Sequence, residues 1–456
     1  MLRSRWQFNQ STATWQSPRP LWLLGIACVF LYGFLNLLWP KVGGIAGTLM
    51  AILGLTMVLR SADIRGSAPL WLLLAAVLVQ LLSWCLGYFH HPDWIPDNPQ
   101  LDRMGKWFLF IGIAWWLGGR TRPTLWLWCL AMLGLFLTSI TNDVGLDHWQ
   151  RGLSGHRVDF GIHNAQHGAM YFGTSLLGLL AFSRRALQPG SWSILRRLAW
   201  GIALTICLAG VIVTQTRAIW LALLIALPVM TALVLVSARL MTQRLGVNKK
   251  HLVVGGVSAL LVVAVLGTAF HGSIERRLGA ENQVITELMD GDIDAIDPNS
   301  SIGNRIYTWI AATQWIAERP LVGWGANGRS LAVKQTEWLP EKTKERYGHL
   351  HNTFLEVLVA YGALGVFVMA ALAYWVGRGT WLAWRAGAMP GDMALFGASF
   401  FIFWMIVNQF EAYLSFSSGV YVHNLIVGGL VTHIWRWRVT SSRGVALRTD
   451  EQLPSH

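Results

Sequence analysis

The sequence predicts an all-α polytopic membrane protein, and three observations carry that expectation. Its 456 residues are 54% hydrophobic and only 13% charged, against about 25% charged in a soluble globular domain. Apolar runs of spanning length, roughly 17–25 residues, recur along the whole chain. Basic residues gather on one side of those runs.

The runs place about twelve transmembrane helices, at approximately 20–39, 43–59, 69–88, 106–119, 124–140, 168–183, 198–216, 218–238, 251–270, 352–376, 392–410 and 418–435. The first lacks a small-residue cleavage site after a short apolar core and reads as a retained anchor. With no internal repeat and no low-complexity tract, residues 1–456 are expected to form a single membrane domain. The long segment 271–350, between spans nine and ten, is the largest piece outside the membrane. Within it, 301–317 (SIGNRIYTWIAATQWIA) repeats apolar residues at a helical period through Ile302, Ile306, Trp309, Ile310 and Ile316, which predicts an amphipathic helix. Such a helix would lie along the outer boundary and roof the spans. Trp315 falls on the opposite face. Gly323, Gly325 and Gly328 predict a turn-rich exit.

The net charge of +13 suggests nucleic acid, but its distribution argues otherwise. With the N-terminus inside, most of the 36 Lys and Arg fall in cytoplasmic segments, including Arg60, Arg65, Arg184, Arg185, Arg436 and Arg438. That is the positive-inside asymmetry, and it puts both termini in the cytoplasm. No nucleic-acid partner is expected; membrane lipids are. The four cysteines (Cys28, Cys85, Cys129, Cys207) all fall in spans and read as small buried residues. Tryptophans near span ends, such as Trp107 and Trp435, read as interfacial belts.

His351-Asn352, followed after nine residues by Gly362-Ala-Leu-Gly365, stands where the outside segment returns to the membrane. Histidine can take and return a proton near neutrality, so this placement favours an enzyme at a membrane surface over a pore. The alternative is a histidine that caps a helix or meets headgroups. His349 lies two residues away. On a helix the two would point to different sides, so no shared metal is expected. Asn352 and Glu356 would share a face, and Glu356 inside a span is costly enough to suggest a role. It would orient or tune the base, or bond a neighbouring helix.

Arg217, in Thr214-Gln-Thr-Arg217-Ala-Ile-Trp220, occupies a short outside turn against the positive-inside trend. Its planar fork suits phosphate oxygens, and snorkelling to lipid phosphates is the alternative. Arg305, at the edge of the amphipathic stripe, would add charge for a diphosphate or simply face solvent. The segment from Arg157 through Asn164 to His167 gathers polar groups suited to substrate hydroxyls, or is an ordinary polar loop. No cofactor is expected. Asp290, Asp292 and Asp294 imitate a calcium loop, but Ala295 and Ser301 occupy the positions that need glycine and glutamate. A phosphate loop, HExxH and GxSxG are all missing.

Together the Thr-Arg-x-x-Trp turn, the Arg305 helix with its Gly-Trp-Gly exit and the His351-Asn352 motif resemble the bacterial O-antigen ligases. That superfamily also holds O-antigen polymerases and protein O-oligosaccharyltransferases. The motifs cover roughly 155–370; elsewhere the likeness is topological. The resemblance implies a GT-C-like, metal-independent and ATP-independent glycosyltransferase of the bacterial inner membrane. It would move O-antigen from undecaprenyl diphosphate to lipid A–core on the periplasmic face. It implies that His351 is the essential histidine and that Arg217 and Arg305 bind the diphosphate. Arg157, Asn164, His167, His349, Asn352 and Glu356 remain candidates for support or acceptor binding. The 157–167 segment matches no family motif. The motifs do not separate ligase from polymerase, and a lipid-linked glycan transporter or flippase is the alternative of another class. The oligomeric state is open, with a monomer favoured.

Overall fold

The computed structural model describes residue 15 and residues 17–241, 271–272, 275, 279, 286–287, 289–290, 296–297 and 300–450. All regular elements among them are helices. Seven are long and apolar enough to cross a membrane: Arg19–Leu38, Pro40–Arg60, Ala68–His90, Thr121–Thr141, Ser193–Val213, Arg217–Val236 and Thr353–Arg385. The shorter Ala165–Ala181 and Gly391–Val407 and the long Ser417–Asp450 complete the bundle. The chain is a multi-pass membrane protein. The expected ninth span, 251–270, lies outside the described residues.

The fourth expected span is not a regular helix. It runs Asp102–Gly105, a 3-10 turn Lys106–Phe108, then Phe110–Leu117, whose eight residues are all buried. The turn loosens the main chain, and Asn424 of the Ser417–Asp450 helix repairs it. Asn424 Oδ1 accepts from the Phe110 amide at 2.6 Å and Nδ2 donates to the Lys106 carbonyl at 2.8 Å. Backbone groups removed from water must be satisfied inside the protein, and here a side chain does it. A helix walled by protein need not match the bilayer thickness.

Two expectations about apolar residues change. Trp107 and Trp435 are buried within the protein, at 4% and 1% exposure, and do not face lipid. Among the free cysteines, Cys28 and Cys207 are buried but Cys129 faces outward.

The helix Thr353–Arg385 is broken at Gly362, where φ is +60° and ψ −159°. Only glycine adopts that region without strain. The Pro320–Gly325 stretch fills the break. Trp324 N donates to Val359 O at 2.9 Å, Gly325 N to Ala360 O at 2.8 Å and Ala363 N to Pro320 O at 2.8 Å. The Gly-Trp-Gly exit and the Gly362–Gly365 motif are thus two halves of one contact.

The amphipathic helix forms at Ser301–Glu318, capped by Ser300, whose hydroxyl accepts from Gly303 N at 2.9 Å. Its buried face is not the isoleucine stripe. Asn304, Thr308, Ala311, Ala312 and Trp315 are buried, while Ile302, Ile306, Ile310 and Ile316 stay half-exposed. The helix packs on Gly328–Lys334 and on the broken helix, so small residues face protein. Trp315 fills the seam and donates to Thr336 Oγ1 at 2.9 Å.

Candidate active site

Two His-Asn pairs build the site in the same way. His163 and His351 both take left-handed backbone, with φ +53° and +52°. Each is followed by an asparagine that caps a helix. Asn164 Oδ1 accepts from Gln166 N at 2.8 Å and His167 N at 3.2 Å. Asn352 Oδ1 accepts from Phe354 N at 3.0 Å and Leu355 N at 3.2 Å. Left-handed non-glycine residues cost about 1–3 kcal/mol each and persist where surrounding contacts impose them, often at functional sites. Here each turn throws its histidine back against the Asn408–Ser418 region. His349 and His351 therefore do not diverge as on a helix: their ring centroids are 3.9 Å apart.

Both face Glu411, whose side chain is wholly buried. His351 Nδ1 lies 3.3 Å from Oε2, which also accepts from Gln166 Nε2 at 2.9 Å. Oε1 accepts from the Ala412 amide at 3.0 Å, with His349 Nδ1 3.8 Å away. A carboxylate can only accept, so Nδ1 of His351 carries a hydrogen, and in the neutral ring Nε2 is the nitrogen with the free lone pair. Burial pushes the Glu411 carboxyl up, but the hydrogen bond from His351 and the nearby histidines reverse this and hold it at about 2. Burial and the neighbouring His351 lower His349 to about 4, against the pull of Glu411.

The carboxylate that bonds the proposed base is thus Glu411, not Glu356. Glu356 instead accepts from Arg329 Nη1 at 3.0 Å, from the Leu350 amide at 3.0 Å and from the Ser415 hydroxyl. Leu350 is held on its other side too, since its carbonyl accepts from Trp309 Nε1 at 2.8 Å. The residue between the two histidines is fixed from both directions. Phe416 forms a floor, with ring centroids of His163, His167 and His349 at 4.7, 5.1 and 5.4 Å. Arg329 stands over the same ring.

The 155–167 segment also docks the arginine turn. Arg157 Nε donates to Thr214 O at 3.3 Å, Gln215 Nε2 to Gly155 O at 2.8 Å and Thr216 Oγ1 to Ala165 O at 3.3 Å. Arg217 opens the next helix from that turn. The half-buried Arg305 acts electrostatically on Tyr413, two residues from Glu411. Burial and Glu411 raise the Tyr413 phenol well above its usual value, and the Arg305 guanidinium opposes them. Tyr413 donates to Gln166 O at 3.0 Å.

Residues 202–370 match the O-antigen ligase family model, Wzy_C. This segment, rather more than a third of the chain, is similar to the O-antigen ligase family. No curated protein matches the chain. The matched segment holds Arg217, Arg305, the Gly-Trp-Gly exit, His351 and Gly365. The polar stretch Arg157 to His167 and Glu411 lie outside it, yet Glu411 bonds His351 and Gln166 bonds Glu411. Glu411, Arg329, Tyr413 and Phe416 were not singled out in the sequence. The available signals were an acid directly after an apolar run and the recurrence of His-Asn at 163–164.

Proposed function

We propose that the chain is an O-antigen ligase. It transfers O-antigen polysaccharide from undecaprenyl diphosphate to a lipid A–core sugar at the periplasmic face of the bacterial inner membrane. The observation that carries this reading is the bond between His351 Nδ1 and the buried Glu411 carboxylate, which leaves Nε2 free as a base within an O-antigen ligase family site. The acceptor hydroxyl attacks the anomeric carbon, its oxygen forming the new glycosidic bond as its proton passes to Nε2. The bond from the anomeric carbon to the diphosphate breaks, and the electron pair leaves with the lipid diphosphate. Attack from the face opposite the leaving group inverts the centre. Glu411 stabilises the imidazolium as it forms. Arg217 and Arg305 meet the charge growing on the diphosphate, which preorganised cations stabilise strongly in a water-poor site. The donor is already activated, so the reaction draws on no nucleotide and, in this scheme, no metal.

The test is transfer from lipid-diphosphate glycan to lipid A–core by purified protein in the presence of a chelator. Activity is expected, with a loss of ~10²–10⁴-fold in His351→Ala, the usual worth of a positioned base. A His351→Ala protein that ligates at the normal rate refutes the role. Glycan extension on the lipid carrier, without transfer to lipid A–core, makes the protein a polymerase.

A further inference from the structure

We propose that His349, His351 and Glu411 form a binding site for a transition-metal ion of the Zn²⁺ class, and that an ion held there switches the base off. The second half rests on His351 being the base.

One nitrogen from each histidine and one oxygen of Glu411 all lie within 4.8 Å of one another. A tetrahedral ion with bonds of about 2.0–2.2 Å holds its ligand atoms roughly 3.3–3.6 Å apart. His351 Nδ1 stands 3.3 Å from Glu411 Oε2, and His349 Nδ1 3.8 Å from the other oxygen, Oε1, so a closure of less than about 1.5 Å brings the three ligand atoms from within 4.8 Å to that spacing. His349 Nδ1 is buried and has no hydrogen-bond partner, which a coordination bond would supply. Two imidazoles and a carboxylate suit Zn²⁺, whereas Mg²⁺ prefers an all-oxygen shell. Outer contacts already orient the ligands, as metal sites require: Gln166 and the Ala412 amide hold Glu411, and Leu350 is pinned between the histidines. The histidine side chains are 22% and 13% exposed and Glu411 is 0% exposed. The ion therefore enters from the histidine side and keeps an open position there.

Without an ion, the His351 hydrogen sits on Nδ1 and Nε2 is the basic nitrogen. An ion takes the Nδ1 lone pair, and the ring's hydrogen passes through solvent to Nε2. Nothing is oxidised or reduced. The nitrogen that would accept the acceptor proton is then already protonated.

Zn²⁺ titration of the full chain in phosphatidylethanolamine/phosphatidylglycerol nanodiscs, by calorimetry or chelator competition, tests the site. One saturable Zn²⁺ per chain is expected, with no Mg²⁺ binding. His349→Gln and Glu411→Gln should each weaken it by at least about tenfold, while His349→Cys, which keeps a soft ligand, should retain it. Helical circular dichroism of each variant reports folding. Unaltered binding in folded His349→Gln and Glu411→Gln, or no saturable binding to the native chain, overturns the site. Stoichiometric Zn²⁺ should also abolish ligation reversibly, and full activity at saturating Zn²⁺ overturns the switch. Failure of the base reading shows separately, as normal ligation by metal-free His351→Ala.

Discussion

A neutral imidazole is a base only through the nitrogen that carries no proton, and Glu411 decides which one that is for His351. Glu411→Gln keeps the shape but allows the other tautomer. Ligation is expected to fall by at least about tenfold, toward the ~10⁴-fold loss seen when an aligning carboxylate is neutralised in a catalytic triad. The fall should lie in kcat more than in KM. His349 bears on stability. Its folded value is depressed to about 4 from an ordinary 6.5, so below pH 6.5 the unfolded chain takes up a proton that the folded chain refuses. Stability is therefore expected to decline from pH 6.5 down to about 4 and then level off for this group. Glu411, depressed to about 2 from 4.5, works in a lower window: its contribution is complete above 4.5 and is lost as pH falls through 2. Thermal melts in nanodiscs should show the upper window flattened in His349→Gln. An unchanged slope there would mean that His349 titrates normally in the fold.

At the scale of elements, the broken helix and its Asn352 cap hold the His351 turn. A Cβ at Gly362 would come within 2.3 Å of the Leu321 carbonyl carbon, in backbone only glycine tolerates. Gly362→Ala should destabilise by more than the ~1–3 kcal/mol of backbone strain alone, and ligation should fall with it. Asn352→Ala removes two acceptor contacts at the helix start and should cost about 0.5–2 kcal/mol, with Asn352→Asp recovering most of it. A melting series over the three proteins checks the order. The existence of the 301–318 helix was legible from its period. Its buried face was not, because the half-exposed isoleucines match an amphipathic pattern while Ala311, Ala312 and Trp315 do the packing. Periodicity reports hydrophobicity, but a helix wedged between two others buries what fits.

At the scale of the whole molecule, one buried ion pair joins the Gly328–Lys334 helix to the spanning helix Thr353–Arg385. The Glu356 side chain is 3% exposed and Arg329 is 19% exposed. Removing one partner of a buried pair strands a charge, so Arg329→Ala should cost about 3–5 kcal/mol, whereas an apolar replacement of both partners should recover much of it. Denaturation of the single and double variants separates the two outcomes. The sequence by itself determined the membrane class, most of the spans, the amphipathic helix and the motifs that resemble the O-antigen ligases, because hydropathy, period and local spacing are written in neighbouring residues. It named His351, Arg217 and Arg305 for the same reason. Only the tertiary structure decided that Glu411 and not Glu356 faces His351, that His349 turns toward it, and that 157–167 docks on the arginine turn. Those contacts join residues 50 or more positions apart through left-handed turns and a helix break, and no local pattern encodes a meeting that the packing of distant spans creates.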